Sequence, residues 1–180
     1  MADNQSQFHN QFEGAGLGKH WPEMLQWVKD LPAKSKILDW GCGQGGTIEW
    51  LKNYTNRTIH GYDPHHPKYN TKPTGPYQAV YSSDMWEHVP PESIAQNWQE
   101  IRDICDRGRL TRQCHIIDCT KAKKTFKDGT NAHVSLHTPV EWSEIMAQHM
   151  TVQGVQTIRR PDAHFGVRLR VMITGFLRWA

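Results

Sequence analysis

Apolar positions along the chain follow two spacings that alternate from one segment to the next. Apolar residues three or four positions apart are typical of helices, and short apolar runs beside turn residues are typical of buried strands. The first spacing predicts helices over residues 22–31, 47–53, 91–108 and 139–149. The second predicts strands over residues 37–38, 58–62, 79–82, 115–119, 152–159 and 167–177.

The order of these elements predicts the fold class. Strands alternate with helices as far as residue 149, which indicates an α/β fold: a doubly wound, mostly parallel, Rossmann-like sheet with helices on both faces. The last two strands follow each other across a short turn, so we expect an antiparallel C-terminal hairpin at the edge of the sheet. Residues 64–76 contain four prolines and Gly75, which predicts a loop directly after the second strand.

Length and composition limit the organisation of the chain. Its 180 residues are enough for one domain, which we expect to cover residues 1–180, with a flexible N-terminal arm over residues 1–19. This arm lacks the basic and apolar regions of a secretory signal, and no stretch of 18 apolar residues follows it. The four cysteines form no C-x-x-C pair, which favours reduced thiols and a cytoplasmic location. The net charge of +3 permits an anionic partner without requiring one.

The first predicted strand runs into a turn that is rich in glycine and opens the next helix. Its sequence is Asp39-Trp-Gly41-Cys-Gly43-Gln-Gly45-Gly46. Glycines at such a turn let the backbone approach a ligand closely, with free N–H groups pointing at it. Asp63 lies 17 residues past Gly46, at the end of the next strand, where a carboxylate can accept hydrogen bonds from both hydroxyls of a ribose.

The spacing of the glycines leaves two classes of ligand open. Gly41, Gly43 and Gly46 also satisfy G-x-G-x-x-G, so a dinucleotide is compatible with them. Asp39 argues against it, because its negative charge would repel a pyrophosphate. A ligand with sulfonium and ammonium groups has the opposite requirement.

Two motifs carry a resemblance to a known family. The stretch from Asp39 to Gly45 resembles the first motif of the class I S-adenosylmethionine-dependent methyltransferases. The stretch Tyr77-Gln-Ala-Val-Tyr-Ser-Ser-Asp84-Met-Trp-Glu87-His88-Val-Pro90 is similar to their fourth motif. The motifs stand in the family's order. The resemblance implies an enzyme that takes a methyl group from S-adenosyl-L-methionine and leaves S-adenosyl-L-homocysteine.

The resemblance also implies which residues bind the cofactor. The glycine turn would shape the pocket for the methionine portion, Asp63 would hold the ribose, and Ser83 and Asp84 would lie beside the sulfonium. Pro64, with His65 after it, would flank the adenine. The implied cofactor-binding residues are Asp39, Gly41, Gly43, Gly45, Asp63, Pro64, Ser83 and Asp84.

The chain departs from the family in one place. Only 13 residues separate Asp63 from Tyr77, where the family usually has another helix and strand. We therefore expect six strands instead of the usual seven, without the strand that would lie next to the one ending at Asp63.

Two histidines are candidates for a general base that removes a proton from the methyl acceptor. His88 follows the third strand and His133 follows the fourth, so both should lie at the carboxyl edge of the sheet. An ordinary histidine pKa of about 6.5 would suit this task. The alternatives are a structural role for the Glu87–His88 turn and a solvated loop around His133. No metal is expected, because no third and fourth ligand stand at a recognisable spacing.

Two clusters of basic residues are relevant to the chemical class of the methyl acceptor. Lysines cluster over residues 121–127, and arginines over residues 159–170, so a small-molecule or phosphate-bearing acceptor is possible. Arg168 and Arg170 alternate on a strand, so we expect a solvated basic face there, and a surface that meets a phosphate-bearing acceptor is the alternative. No Asp-Pro-Pro-Tyr or Asn-Pro-Pro-Tyr sequence supports a DNA acceptor.

Three other functions stay open at this point. The shortened region after Asp63 is compatible with a more open pocket, and so with a lyase or hydrolase that consumes S-adenosylmethionine. A catalytically silent S-adenosylmethionine-binding protein would retain the same motifs. A nicotinamide oxidoreductase is the third alternative.

Overall fold

The structure is a computed structural model that describes residues 18–179. Its helices are α1 (Pro22–Lys29), α2 (Gly46–Lys52), α3 (Ile94–Ile104) and α4 (Pro139–Ala147). Its strands are β1 (Lys36–Trp40), β2 (Thr58–Tyr62), β3 (Ala79–Ser83), β4 (Arg112–Asp118), β5 (Met150–Asp162) and β6 (Gly166–Leu177). Two short 3₁₀ turns, Trp86–His88 and Pro91–Ser93, connect β3 to α3. Residues 1–17, which make up most of the predicted arm, lie outside the described residues.

The described strands form one mixed sheet in the order β2-β1-β3-β4-β6-β5. β1 to β4 are parallel, whereas β6 is antiparallel to both β4 and β5. After β1 the chain forms β2 on one side of it, and then crosses over to form β3 on the other side of β1. This reversal creates a crevice at the carboxyl ends of β1 and β3, which is where doubly wound sheets bind ligands. The predicted fold class, with its antiparallel C-terminal hairpin, is confirmed.

The predicted shortening after the second strand is also confirmed. β2 forms the edge of the sheet, and residues 64–76 contain turns and bends but no strand or α-helix. Proline lacks the N–H group that a sheet ladder requires, and four prolines fall in this segment. A parallel crossover also needs a dozen or more residues before its strand can begin.

Helices cover both faces of the sheet because consecutive strand residues point to opposite sides. On one face, α3 and α4 contribute Trp98 and Trp142 to a core that includes Trp86, and all three side chains are fully buried. On the other face, the apolar residues of α1 and α2 pack against Ile37 and Ile116. Among the described residues, no helix is long and apolar enough to cross a membrane.

The end of α3 shows the largest difference between a predicted and an observed helix boundary. α3 ends at Ile104, although Gly108 was the expected terminator. After Ile104 the backbone pairs with the segment that leads into β3: Tyr77 N–H donates to the Ile104 carbonyl, and Asp106 N–H donates to the Tyr77 carbonyl. These distant partners take the backbone out of the helical conformation. The predicted helix at Pro139 does begin there, with the reciprocal Thr138–Glu141 capping box in place.

Candidate functional site

A pocket of about 720 Å³ opens at the carboxyl ends of β1 to β4. This volume lies within the range of small-molecule and cofactor sites. The lining includes seven of the eight predicted cofactor-binding residues and both candidate bases. These nine residues are Asp39, Gly41, Gly43, Asp63, Pro64, Ser83, Asp84, His88 and His133.

The glycine turn between β1 and α2 has the conformation that its sequence requires. Gly41, Gly43 and Gly45 have φ angles of +73°, +53° and +82°, in the left-handed region that side chains with a Cβ rarely adopt. A Cβ on Gly41 would overlap the side chain of Met85, and one on Gly45 would overlap the hydroxyl of Tyr69. Gly45 does not line the pocket. It is the N-cap residue of α2 and so shapes the turn from outside.

Asp63 connects the end of β2 to this turn. One carboxylate oxygen accepts a hydrogen bond of 2.9 Å from Gly43 N–H, and the other accepts one of 2.9 Å from His65 N–H. The residue is 5% exposed. The two N–H groups fix the orientation of the carboxylate at the mouth of the glycine turn.

Asp39 is a second buried acid in the pocket, 2% exposed. Burial raises its pKa to about 8; the Tyr81 hydroxyl lowers it and the Asp63 carboxylate raises it. A group with this pKa gains its negative charge most easily when a cation comes close. The position therefore suits a positively charged part of a ligand.

Ser83 is the last residue of β3, Asp84 follows it directly, and both line the same pocket. The Ser83 hydroxyl accepts a hydrogen bond of 2.7 Å from the Trp21 indole N–H. Asp84 has a φ of 50° and forms ion pairs with Lys19, at 2.6 Å, and with Arg170, at 2.7 Å. Burial alone would raise the pKa of Asp84, but these two cations hold it below its ordinary value.

Arg168 and Arg170 correct the expectation of a solvated basic face. Arg170 is 4% exposed and bridges Asp84 and Asp118, the latter at 2.8 Å. Arg168 contacts the same Asp118 oxygen at 2.7 Å, and its side chain is 14% exposed. The prediction was wrong because the partners come from β3 and β4, at least 50 residues earlier in the chain.

His88 and His133 meet at the pocket, as their places after β3 and β4 predicted. Their ring centroids are 4.9 Å apart. Burial lowers the pKa of both imidazoles to about 4; for His88 the neighbouring His133 also lowers it, and for His133 nearby Arg168 does. The expected value near 6.5 is therefore wrong for the protein without ligand. At neutral pH both rings are uncharged.

Glu87 is a pocket residue to which sequence analysis assigned only a structural role. It is fully buried, and neither carboxylate oxygen has a hydrogen-bond partner in the part of the chain that the structure describes. Burial raises its pKa well above the ordinary range, and the charges of Asp84 and Asp118 raise it further. The sequence could have indicated this place in the pocket, since Glu87 stands only three positions after Asp84 in the stretch that is similar to the family's fourth motif.

Comparison with protein families gives a match over most of the chain. The model of a family described as "Methyltransferase domain" matches residues 17–160. No curated protein sequence matches the chain.

Solved structures share the fold at low sequence identity. The 1,6-didemethyltoxoflavin-N1-methyltransferase of Burkholderia thailandensis, with bound 1,6-didemethyltoxoflavin and S-adenosylhomocysteine, has a TM-score of 0.68 and 14% identity, covering 99% of this chain and 87% of that one. TehB from Haemophilus influenzae has a TM-score of 0.61 and 10% identity, with 89% of this chain and 64% of that one covered.

A third structure is phosphoethanolamine N-methyltransferase 2 of Haemonchus contortus, in complex with S-adenosyl-L-methionine. Its TM-score is 0.58 at 10% identity, and the match covers 88% of this chain and 53% of that one. This chain thus spans less than two thirds of the TehB and Haemonchus chains. At these identities, the likeness shows a common fold.

Proposed function

The chain belongs to the methyltransferase-domain family, and on that premise we propose that it is an enzyme that binds S-adenosylmethionine in the pocket described above. We propose further that it transfers the methyl group to a small-molecule or phosphate-bearing acceptor. The product of the cofactor would be S-adenosylhomocysteine.

One observation carries the cofactor assignment. Asp63 and the glycine turn meet in a single buried corner of the pocket, where Gly43 N–H orients the carboxylate. A carboxylate at the end of this strand can accept hydrogen bonds from the hydroxyls of a ribose. Asp39, with its raised pKa, lies in the same lining and suits the cationic methionine portion. Pro64 and His65 border the space beside Asp63 that would hold the adenine.

The pocket supports transfer mainly through positioning. Bound S-adenosylmethionine supplies an electrophilic methyl group on its sulfonium. Ser83 and Asp84 would line the pocket beside that group, while Lys19 and Arg170 hold Asp84 in place. Holding the acceptor in line with the methyl group can supply most of the acceleration. His88 and His133 would contact the acceptor, but with pKa values near 4 they are weak bases at neutral pH.

Cations in the lining favour an acceptor with a phosphate or another anionic group. Lys123, Lys124 and Arg168 all line the pocket. The Lys123 ammonium lies 3.0 Å from the Asp162 carboxylate, and 45% of its side chain is exposed. A phosphate can compete for such a solvent-exposed ammonium, because exposed ion pairs are weak.

Calorimetry with S-adenosylhomocysteine tests the cofactor assignment. The protein should bind it, and Asp63→Ala should weaken binding by about 1–3 kcal/mol through loss of charge-assisted hydrogen bonds to the ribose. Asp103→Ala is the matched control, because Asp103 is an exposed carboxylate on α3 and should not affect affinity. Tight binding of NADH with no response to S-adenosylhomocysteine would overturn the assignment.

Analysis of the products tests the reaction. The protein is incubated with S-adenosylmethionine and a panel of hydroxyl-, amine- and phosphate-bearing acceptors. S-adenosylhomocysteine formed only when an acceptor is present supports methyl transfer. Methylthioadenosine or homoserine lactone formed without an acceptor would indicate a lyase or hydrolase. Binding without any product would indicate a catalytically silent protein.

A further inference from the structure

Three potential metal ligands converge in the pocket although they are far apart in the sequence. Glu87, His88 and His133 each offer one ligand atom, and these atoms all lie within 4.8 Å of one another. An ion about 2.1 Å from each ligand requires ligand atoms about 3–3.5 Å apart. Side-chain movements of about 1 Å would therefore bring the three atoms around one ion.

The carboxylate of Glu87 is the feature that points to a cation. It is fully buried and lines the pocket, yet neither oxygen has a hydrogen-bond partner among the described residues. A buried carboxylate without a partner is costly, and a bound cation removes that cost. The neighbouring acids are already paired, Asp84 with Lys19 and Arg170, and Asp118 with Arg168 and Arg170.

Both imidazoles hold Nδ1 against a backbone carbonyl, as metal-binding histidines usually do with the nitrogen that does not bind the ion. Nδ1 of His88 lies 2.8 Å from the Ala132 carbonyl, and Nδ1 of His133 lies 2.6 Å from the Thr120 carbonyl. A carbonyl only accepts hydrogen bonds, so each Nδ1 carries the hydrogen. In the uncharged ring, Nε2 then carries the lone pair. Histidine ligands of metals typically donate their other ring N–H to a carbonyl in this way.

We propose that Glu87, His88 and His133 bind a divalent first-row transition-metal ion in this pocket. Two imidazoles and one carboxylate suit such ions better than Mg²⁺ or Ca²⁺, which prefer oxygen ligands. Asp84 and Asp118 lie next to the site and hold their own cations in place. Because their carboxylates already pair with Lys19, Arg168 and Arg170, we do not count them among the ligands of the ion.

The proposed ion would lie in the part of the pocket where we expect the methyl acceptor to bind. Three protein ligands leave coordination positions open for water or for an oxygen of the acceptor. Ser83 and Asp84, the residues that the proposed function places beside the sulfonium, line the same pocket. This use of the ion rests on the proposed function, whereas the metal site itself does not.

Titration of the metal-free full-length protein tests the site. Mn²⁺ binding is followed by electron paramagnetic resonance and Co²⁺ binding by visible absorption, and each should saturate at one ion per chain. Glu87→Gln and His133→Gln should each weaken Mn²⁺ binding more than about 10-fold. His164→Gln, which changes an exposed histidine outside the pocket, should bind Mn²⁺ as the unmodified protein does.

Two further measurements keep the test decisive if a variant does not fold. Thermal melting identifies unfolded variants, and Mn²⁺ should raise the melting temperature of the unmodified protein. Spin-echo modulation from imidazole nitrogen on bound Mn²⁺ requires no variant. The proposal is overturned if Mn²⁺ and Co²⁺ do not bind, or bind without nitrogen ligation. It is also overturned if both glutamine variants fold and bind as before, or if Mg²⁺ binds in preference to Mn²⁺ and is unaffected by His133→Gln.

Calorimetry with S-adenosylhomocysteine on the metal-free protein separates this proposal from the proposed function. Binding of S-adenosylhomocysteine without binding of Mn²⁺ would overturn the metal site alone. Binding of Mn²⁺ without binding of S-adenosylhomocysteine would leave the metal site standing and overturn the cofactor assignment.

Discussion

At the scale of a single residue, burial controls whether the Asp39 carboxyl group in the pocket carries a negative charge. Because burial raises its pKa to about 8, the free protein holds this carboxyl group mostly protonated at neutral pH. A cationic ligand close to the carboxyl group favours its ionised form. Binding of such a ligand should therefore release a proton.

The affinity for S-adenosylhomocysteine should consequently depend on pH. Below the pKa of the free protein the carboxyl group must first lose its proton, so affinity should rise by up to about tenfold per unit between about pH 6 and 8 and then level off. Asp39→Asn should bind more weakly above pH 8 and lose the dependence. Calorimetry in two buffers of different ionisation enthalpy counts the released protons. Equal pH dependence in both proteins would contradict this account.

At the scale of an element, the turn between β1 and α2 depends on two separate properties of glycine. Glycine adopts a left-handed φ without strain, and it has no Cβ that could overlap a neighbouring side chain. Gly41 has a left-handed φ of +73°, and a Cβ there would also overlap Met85. Gly129 has a similar φ of +85°, but a Cβ there would meet nothing within 4 Å. The two positions therefore separate backbone strain from steric overlap.

Alanine substitutions should show this difference in the free energy of unfolding. Gly129→Ala should cost about 1–2 kcal/mol from the left-handed backbone alone. Gly41→Ala should cost about 1–3 kcal/mol more, because the new methyl group displaces Met85. Urea unfolding measures both. Equal losses would show that Met85 moves aside without cost.

At the scale of the whole molecule, a chain of charges joins parts of the structure that are distant in sequence. Lys19 contacts Asp84 at the end of β3, Arg170 on β6 joins Asp84 to Asp118 at the end of β4, and Arg168 completes the chain. The antiparallel hairpin thus does more than extend the sheet. It supplies Arg168 and Arg170, two of the three cations that neutralise Asp84 and Asp118.

Removal of the central cation should destabilise the protein strongly. Arg170→Met leaves Asp84 and Asp118 with less compensation in a buried site, and we expect a loss of about 3–5 kcal/mol in the free energy of unfolding. Arg159→Met is the matched control, because Arg159 is exposed on the neighbouring strand β5 and its loss should cost less than about 0.5 kcal/mol. Chemical denaturation compares the two variants. A similar small loss in both would show that the ion pairs contribute little.

Local patterns in the sequence determined the order of the elements and much of the pocket. The prediction for β2 matches Thr58–Tyr62, and the capping box predicts the start of α4 at Pro139. The shortened sheet follows from the prolines after Asp63. These features depend on residues that are close together along the chain, where backbone geometry and side-chain spacing act directly. The glycine turn could be predicted for the same reason.

Only the tertiary structure decided the charges and partners inside the pocket. The sequence does not show that Arg170 is buried between two acids, or that the buried Glu87 lies beside His133, because these groups come from different strands and loops. The end of α3 depends in the same way on the backbone of Tyr77. The pKa of a side chain is set by its desolvation and by the charges around it. Both depend on which parts of the chain fold against each other, and the local order of residues does not contain that information.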